Sequence, residues 1–210
     1  MKPLENNKFY SQAGQDKWVC ELFNFKKDGY FIDLGAYDGI QTSNTYFLEK
    51  ELNWMGICVE ANENIFKLLQ TNRTSENVYG AVTNYNGLCY FGNDKIVNNG
   101  TPVSCFTLKN ILNSFQSPKQ IDYLSIDIEG NEYTVFKDFC FDDYEIKCMT
   151  VEHNLYCDGS EKKDMLFHLL NHVGFERVVE DAPCLDPNPS YYMKPYEDWY
   201  VNKKYLNLVK

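Results

Sequence analysis

The sequence predicts an α/β fold in which a mostly parallel sheet carries helices on both faces. Short apolar runs rich in β-branched and aromatic residues alternate with segments of helical periodicity, and this alternation is typical of parallel sheets. The chain has 210 residues, of which 44% are hydrophobic, a length and composition that favour one folded domain over disorder. Because neither an internal repeat nor an interdomain linker is visible, we predict one domain over residues 1–210, with an N-terminal segment at 1–28 and a core at 29–210.

Each predicted element has a local reason. Runs of β-branched, aromatic and other apolar residues predict strands, in chain order at 30–34, 55–60, 77–83, 121–128, 145–153, 175–180 and 198–202. Apolar residues at helical spacing predict helices, in chain order at 42–52, 62–72, 107–115, 132–139 and 161–172. Thr42 or Ser43 can cap the first helix, because a hydroxyl there accepts a hydrogen bond from an N–H of the first turn.

Two polar stretches separate these elements. Residues 84–104 are rich in Gly and Asn, which predicts a short hairpin, and residues 182–195 are rich in Pro, which predicts a surface loop. Neither stretch carries a recognisable binding motif. We expect both stretches to help shape the ligand pocket.

The charge of the chain argues against polyanionic partners. Thirty acidic residues outnumber twenty basic ones, which gives a net charge of −10, and only Arg73 and Arg177 are arginines. Nucleic-acid-binding proteins usually present a basic face and contact phosphates and bases through arginine, so we expect no nucleic-acid partner.

The sequence also lacks the usual signals for membrane insertion and export. No apolar run approaches the roughly 18 residues needed to cross a bilayer, and the start of the chain lacks the pattern of a signal peptide. No pair of the eight cysteines has C-x-x-C spacing, which favours reduced, structural thiols over a redox or zinc motif. We therefore expect a cytoplasmic protein without a membrane span.

The loop after the first strand is the first candidate for a ligand site, because ligands of open α/β sheets bind at the carboxyl ends of strands. Gly35 and Gly39 allow a tight turn and a close approach to a ligand, and Asp33 and Asp38 add two carboxylates. Carboxylates would repel a phosphate, and the third glycine of the G-x-G-x-x-G dinucleotide pattern is missing. If it is more than an ordinary turn, the loop suits a cationic or hydroxyl-rich ligand better than a nicotinamide dinucleotide.

The second strand ends at Glu60, 21 residues after Gly39. An acidic residue at this place can accept hydrogen bonds from both hydroxyls of a ribose. Glu60 alone is a weak signal, because any strand can end in a carboxylate. Together with the preceding loop, it indicates an adenosine-type ligand without a pyrophosphate, a description that S-adenosylmethionine meets.

More carboxylates follow the fourth and fifth predicted strands. Asp127 and Glu129 end the fourth strand, and Glu152 and His153 end the fifth. Since neighbouring parallel strands end at the same edge of a sheet, we expect these four side chains to surround one crevice. They could bind a divalent cation there or provide a general base for a substrate hydroxyl. The alternative is that Glu129 and Glu132 only flank the next helix, where acidic residues are favoured.

Five segments of the chain share a pattern with one known family. They are residues 10–16 (YSQAGQD), 31–39 (FIDLGAYDG), 42–45 (TSNT), 56–60 (GICVE) and, most specifically, 122–132 (DYLSIDIEGNE). On these segments the chain resembles the FkbM-type S-adenosylmethionine-dependent methyltransferases, and the resemblance continues to the last predicted strand. Many relatives carry a lysine where this chain has Ser125, a difference that concerns the acceptor more than the cofactor.

The resemblance implies a Rossmann-like class I methyltransferase domain with a seven-stranded sheet whose last strand is antiparallel. It also implies methylation of a hydroxyl, often on a sugar or a secondary metabolite, so the expected acceptor is a small molecule or a glycan. The N-terminal segment would close over the site. A methyltransferase of a non-sugar metabolite and a non-catalytic interaction protein on the same fold are the alternatives.

Site residues follow from the resemblance position by position. The residues expected to bind S-adenosylmethionine are Gln12, Gln15, Asp33, Gly35, Tyr37, Asp38, Gly39, Ser43, Glu60, Ala61, Ala81, Val82 and Asp127. The expected catalytic residues are Asp127, Glu129, Glu152 and His153. Asp127, Glu152 and His153 would also be the ligands of a Mg²⁺ or Mn²⁺ ion.

Overall fold

A seven-stranded sheet forms the centre of the molecule. The computed structural model describes residues 8–153, 155, 159–185 and 192–209. The strands within these residues are β1 (Tyr30–Leu34), β2 (Met55–Glu60), β3 (Glu76–Tyr79), β4 (Ala81–Val82), β5 (Gly87–Gly92), β6 (Lys95–Val97), β7 (Thr101–Phe106), β8 (Gln120–Ile126), β9 (Glu145–Glu152), β10 (Phe175–Pro183) and β11 (Pro195–Asn202). The large sheet has the order β10-β11-β9-β8-β1-β2-β3.

The sheet is parallel except for one strand. β11 lies between β9 and β10 and is antiparallel to both, whereas β1, β2, β3, β8 and β9 pair in parallel. The predicted α/β class and the antiparallel last strand are therefore confirmed. A second sheet has four strands in the order β4-β7-β5-β6 and lies beyond β3 in the chain.

Helices cover both faces of the large sheet. They are α1 (Gln15–Leu22), α2 (Tyr46–Leu52), α3 (Glu63–Asn72), α4 (Leu108–Ser114), α5 (Glu132–Lys137) and α6 (Ser160–His172), and a 3₁₀ helix follows at Lys203–Leu208. Successive side chains of a strand point to opposite faces: Phe31 packs with α1, α2 and α3, and Ile32 packs with α4, α5 and α6. None of the helices in the described residues is both long and apolar enough to cross a membrane.

Two predicted elements differ most from the structure. The single strand expected at 77–83 is divided at Gly80, because the chain leaves the large sheet there and pairs with β7 in the small one. A Cβ at Gly80 would lie only 2.9 Å from the Ser104 carbonyl oxygen. The helix expected at 42–52 begins at Tyr46, with the Ser43 hydroxyl accepting a hydrogen bond from its N–H at 3.1 Å.

The stretches expected to be a hairpin and a loop contain more strand than predicted. The region 84–104 does contain a hairpin, β5–β6, but β7 pairs alongside it, so a sheet forms instead of an isolated hairpin. Of the loop expected at 182–195, the two ends belong to β10 and β11. Residues 186–191 of that loop lie outside the described residues.

A buried arginine joins two helices to the loop after β1. Arg73 directly follows α3, and its guanidinium group is fully buried. The Nε of this group donates to Glu49 Oε2 in α2 at 2.7 Å. Its other nitrogens donate to the Thr45 hydroxyl at 2.9 Å and to the Gly39 carbonyl oxygen at 3.3 Å. Burial alone would raise the pKa of Glu49, but Arg73 and the neighbouring donors lower it to about 2. The pair is therefore ionised at neutral pH.

Removing this guanidinium should strongly destabilise the protein. Arg73→Met leaves the buried Glu49 carboxylate without its main counter-charge, and breaking one side of a buried pair typically costs about 3–5 kcal/mol. We expect urea unfolding at pH 7 to show a loss of that size. Lys67→Met is the control, because it breaks an ion pair with Glu63 whose side chains are both more than half exposed. Equal unfolding midpoints for the two variants would contradict the structural role of Arg73.

Candidate active site

A cavity of about 350 Å³ opens at the carboxyl ends of β1, β2, β8 and β9. This is the edge at which open α/β sheets bind their ligands. Most of the residues predicted for the site line it, namely Gln12, Asp33, Gly35, Tyr37, Ser43, Glu60, Ala61, Ala81, Val82, Asp127, Glu129 and Glu152. Gln15, Asp38, Gly39 and His153 are not among the lining residues.

The end of β1 is held between its two neighbouring strands. The Gly35 N–H donates to the Val59 carbonyl oxygen at 3.0 Å, and the Asp127 N–H donates to the Leu34 carbonyl oxygen at 2.9 Å. Gly35 has a φ of +88°, and a Cβ there would lie 1.7 Å from the Asp127 carbonyl oxygen. Glycine is therefore required for the backbone of the first loop to approach the end of β8.

Asp38 and Gly39 shape the loop from behind the cavity. Asp38 Oδ1 accepts hydrogen bonds from the N–H groups of Ile40 at 2.9 Å and Gln41 at 2.7 Å, so it closes a turn. A Cβ at Gly39 would lie 2.6 Å from the Arg73 side chain. Gly39 therefore makes room for the buried guanidinium.

Glu60 joins the first loop to the end of β2. Its Oε2 accepts a hydrogen bond from the Tyr37 N–H at 3.1 Å, and its Oε1 accepts one from the Asn62 N–H at 2.7 Å. Burial raises the pKa of Glu60, while these backbone hydrogen bonds oppose the rise. Each oxygen keeps further acceptor capacity toward the cavity, which suits a ligand with hydroxyl donors.

One end of the cavity is apolar. Ala61, Ala81, Phe91 and Ile96 line it there and pack around the core of the small sheet. The β5–β6 hairpin, which we expected to help shape the pocket, thus forms this wall beside the ends of β2 and β3. Ala61 and Ala81 were predicted from the sequence, whereas Phe91 and Ile96 were not, because their only signal was an apolar residue on each side of a polar turn.

Three carboxyl groups meet on the opposite side of the cavity. Oxygens of Asp127, Glu129 and Glu152 all lie within 4.8 Å of one another. Glu152 is 2% exposed, and its Oε2 has no hydrogen-bond partner among the described residues. Burial, and next the proximity of Asp127, raises the pKa of Glu152 well above its usual range. Burial beside Asp127 therefore favours the protonated form of this carboxyl group more than solvent exposure would.

Tyr196 contacts the carboxyl group of Asp127 from β11. Its hydroxyl donates to Asp127 Oδ2 and accepts a hydrogen bond from the side-chain amide of Gln12. The Tyr196 carbonyl oxygen accepts from the His153 N–H at 3.2 Å, which fixes its position beside the end of β9. Tyr196 was not predicted as a site residue, because only the strand order brings it next to Asp127.

His153 lies in a different group from the predicted metal ligands. Its Nε2 is 3.4 Å from carboxylate oxygens of both Asp181 and Asp198. The ligand atoms of His153 do not join the Asp127–Glu129–Glu152 group, so the predicted triad of Asp127, Glu152 and His153 is not assembled. The physical reason is strand alternation, which directs neighbouring side chains at the end of β9 to opposite sides.

Two further polar residues have structural partners. Gln15 is buried at the start of α1, and its Oε1 accepts a hydrogen bond from the Ala13 N–H at 2.8 Å, which closes the turn before the helix. Glu132 Oε1 accepts from the N–H groups of Ile128 at 3.1 Å and Gly130 at 3.0 Å, and burial raises the pKa of Glu132 to about 7. Glu132 thus holds the loop between β8 and α5.

Among the described residues, the charged side chains that line the cavity are all acidic. They are Asp33, Glu60, Asp94, Asp127, Glu129 and Glu152. No lysine, arginine or histidine is among the lining residues of the described parts of the chain. The cavity is therefore suited to a cationic or uncharged ligand and disfavours an anion.

The chain is similar to methyltransferases in sequence pattern and in fold. The family profile described as "Methyltransferase FkbM domain" matches residues 33–176, which is more than half of the chain. A comparison with curated protein sequences found no match.

Solved methyltransferase structures share the fold at low sequence identity. The METTL16 MTase domain is 12% identical with a TM-score of 0.54, and the match covers 90% of this chain and 66% of that one. Cofactor-bound Rv0187 from MTB is 9% identical with a TM-score of 0.56, covering 95% and 84%. Precorrin-6y C5,15-methyltransferase from Geobacter metallireducens GS-15 is 12% identical with a TM-score of 0.50, covering 96% and 93%. The structural similarity establishes the Rossmann-like class I methyltransferase fold. Because the sequence identities are this low, it establishes nothing finer.

The close approach at Gly35 yields a matched pair of variants. Gly35 and Gly14 both have positive φ, +88° and +89°, but a Cβ at Gly14 would meet no atom within 4 Å. Both alanine variants should carry backbone strain of about 1 kcal/mol, and only Gly35→Ala should add a steric clash. We expect a much lower thermal unfolding midpoint for Gly35→Ala than for Gly14→Ala. Equal midpoints would show that the β1 and β8 ends do not meet as described.

Proposed function

Because the chain belongs to the FkbM methyltransferase family, we propose that it transfers the methyl group of S-adenosylmethionine to a hydroxyl of an uncharged sugar or glycan. The observation that carries this proposal is the division of the cavity. Glu60 and an apolar wall form one side, and the carboxyl groups of Asp127 and Glu152 form the other. One side suits a nucleoside, and the other suits a hydroxyl that must lose a proton.

The residues of the first side fit the cofactor. The Glu60 carboxylate is oriented by two backbone N–H groups and keeps acceptor capacity for ribose hydroxyls. Ala81, Phe91 and Ile96 offer an apolar surface for adenine, and the loop at Gly35 leaves space for the amino-acid portion. When bound, S-adenosylmethionine supplies a methyl group on a positively charged sulfur. The acidic lining favours that charge.

The acidic lining also restricts the acceptor. An acceptor bearing phosphate or carboxylate would enter a cavity whose described lining holds carboxylates and no basic group. Like charges at close range disfavour binding, and the low dielectric of a pocket strengthens the effect. A neutral polyol meets no such penalty, and hydroxyls form hydrogen bonds with carboxyl groups. Sugars and glycans are therefore the favoured acceptor class.

Asp127 is the proposed general base. A hydroxyl is a weak nucleophile at neutral pH, so it must give its proton to a nearby group as it reacts. Asp127 lines the cavity and is held by the Tyr196 hydroxyl. Glu152 lies beside Asp127, and its unpartnered oxygen would form a hydrogen bond with the acceptor. The chain would then contribute mainly alignment and proton acceptance.

Metal assistance is a second candidate, supported by the close group of Asp127, Glu129 and Glu152. Three carboxyl groups within reach of one point fit the oxygen ligands that Mg²⁺ and Mn²⁺ prefer. These residues would hold the ion, which would supply Lewis-acid activation of the hydroxyl. His153 would not contribute, because it faces Asp181 and Asp198.

Glu60 should determine cofactor affinity. Glu60→Gln replaces an acceptor that carries a charge with a neutral amide, and a hydrogen bond to a charged group contributes about 1.5–3 kcal/mol. We expect S-adenosylhomocysteine to bind about 10- to 100-fold more weakly by calorimetric titration. Glu63→Gln is the control, since Glu63 lies three residues away and does not line this cavity. Unchanged affinity in Glu60→Gln would remove Glu60 from the cofactor site.

Acceptor charge should determine turnover. With radiolabelled S-adenosylmethionine, we expect neutral methyl glycosides to be methylated in preference to sugar phosphates and uronic acids, and in preference to catechol as a non-sugar diol.

Asp127→Asn should lower the rate at least about 100-fold, the usual contribution of a general base. Assays with EDTA and with added Mg²⁺ or Mn²⁺ decide between the metal-free and metal-assisted versions.

Each unfavourable outcome identifies a different error. A preference for anionic acceptors would contradict the charge argument, and full activity of Asp127→Asn would exclude it as the base. Wild-type protein that binds no S-adenosylhomocysteine would favour the non-catalytic interaction protein.

A further inference from the structure

A chain of hydrogen bonds connects the N-terminal segment to the proposed base. The Gln12 amide nitrogen donates to the Tyr196 hydroxyl, which in turn donates to Asp127 Oδ2. Gln12 and Asp127 are 115 residues apart in the sequence, and Tyr196 is 69 residues beyond Asp127. All three residues line the cavity.

The direction of the Tyr196 hydroxyl is determined by its two partners. A phenol has one proton to donate, and an amide nitrogen can only donate to it. The Gln12 amide therefore occupies an acceptor position of the oxygen, and the phenol proton points to the Asp127 carboxylate. Burial, and next the charge of Asp127, raises the pKa of Tyr196 well above its usual range, so the phenol keeps this proton at neutral pH.

Backbone hydrogen bonds fix the main-chain positions of both donor residues. Tyr196 lies on β11, where its carbonyl oxygen accepts the His153 N–H at 3.2 Å, and its ring packs with Ala13 and Cys184. The Gln12 carbonyl oxygen accepts the Leu185 N–H at 2.6 Å. The ring packing restricts the Tyr196 side chain, and the backbone hydrogen bond fixes the point from which the Gln12 side chain reaches it.

We infer that Tyr196 is a positioning residue for Asp127 and that Gln12 orients its hydroxyl, an inference that rests on the proposed methyl transfer. By binding one carboxylate oxygen, Tyr196 restricts the rotation of the Asp127 side chain. The carboxylate is then presented to the acceptor hydroxyl in one orientation, as general-base catalysis requires. The N-terminal segment thus acts on the base through Gln12.

Tyr196→Phe tests this inference, because it removes the hydroxyl and keeps the ring. We expect kcat for the best neutral methyl glycoside to fall about 10- to 100-fold, the effect of one hydrogen bond to a charged group. The KM for S-adenosylmethionine and the affinity for S-adenosylhomocysteine should stay within about twofold of wild type. A purely structural role would instead lower affinity and thermal stability together.

Tyr200→Phe is the matched control. Tyr200 lies on the same strand, is 1% exposed, and donates its hydroxyl to a carboxylate, Asp198 Oδ2, at 3.3 Å. It does not line the cavity. We expect its kcat to equal that of wild type. Equal kcat values for Tyr196→Phe and wild type, or equal losses in both variants, would overturn the inference.

A second measurement needs no acceptor. In ¹⁵N-labelled protein, the side-chain amide signals of Gln12, assigned through their loss in Gln12→Leu, should move in Tyr196→Phe and stay in place in Tyr200→Phe. Unchanged chemical shifts of the Gln12 amide in Tyr196→Phe would contradict the hydrogen-bond chain, even if the wild-type protein methylates no acceptor. Wild-type inactivity on every acceptor, with the amide shift observed, would instead count against the proposed function.

Discussion

The buried guanidinium of Arg73 is the interaction on which the cavity depends. It neutralises Glu49, donates to the Thr45 hydroxyl, and lies 5.3 Å from the centre of the Phe31 ring, so it contacts α2, the first loop and β1 together. Asp33 benefits from the same charge. Burial raises the pKa of Asp33, and Arg73 opposes that rise. A carboxylate can therefore lie beneath the cavity because a cation is already buried behind it.

The two sides of the cavity are built by different parts of the fold. The side proposed for the cofactor combines the ends of β1 and β2 with a wall from the β5–β6 hairpin. The side proposed for the acceptor is assembled from distant segments: Gln12 before α1, the ends of β8 and β9, and the antiparallel β11. This division matches the chemistry, since one cofactor is common to many enzymes of this fold whereas acceptors differ.

The same division explains what could be predicted from the sequence. Asp33, Glu60, Asp127 and Glu152 follow apolar runs, so their place at strand ends was readable from local pattern. Tyr196 was not readable, because its contact with Asp127 exists only through the insertion of β11 beside β9. The prediction that His153 shares one crevice with the carboxyl groups was wrong for a geometrical reason. It did not take into account that successive side chains of a strand point to opposite faces. The division of the predicted strand 77–83 at Gly80 was not predicted, because a strand that passes from one sheet to another keeps the same pattern of apolar residues.

The position of β11 between β9 and β10 has a consequence for biosynthesis. Ribosomes synthesise a chain from the N-terminus to the C-terminus. Residues 195–202, which form β11, are therefore made after every other strand of the large sheet. Until they emerge, β9 and β10 lack their shared neighbour and expose unpaired backbone edges, which are prone to pair with other chains. A nascent chain would thus have β1, β2 and β3 available before β11 completes the sheet, and it would need protection from aggregation during that interval.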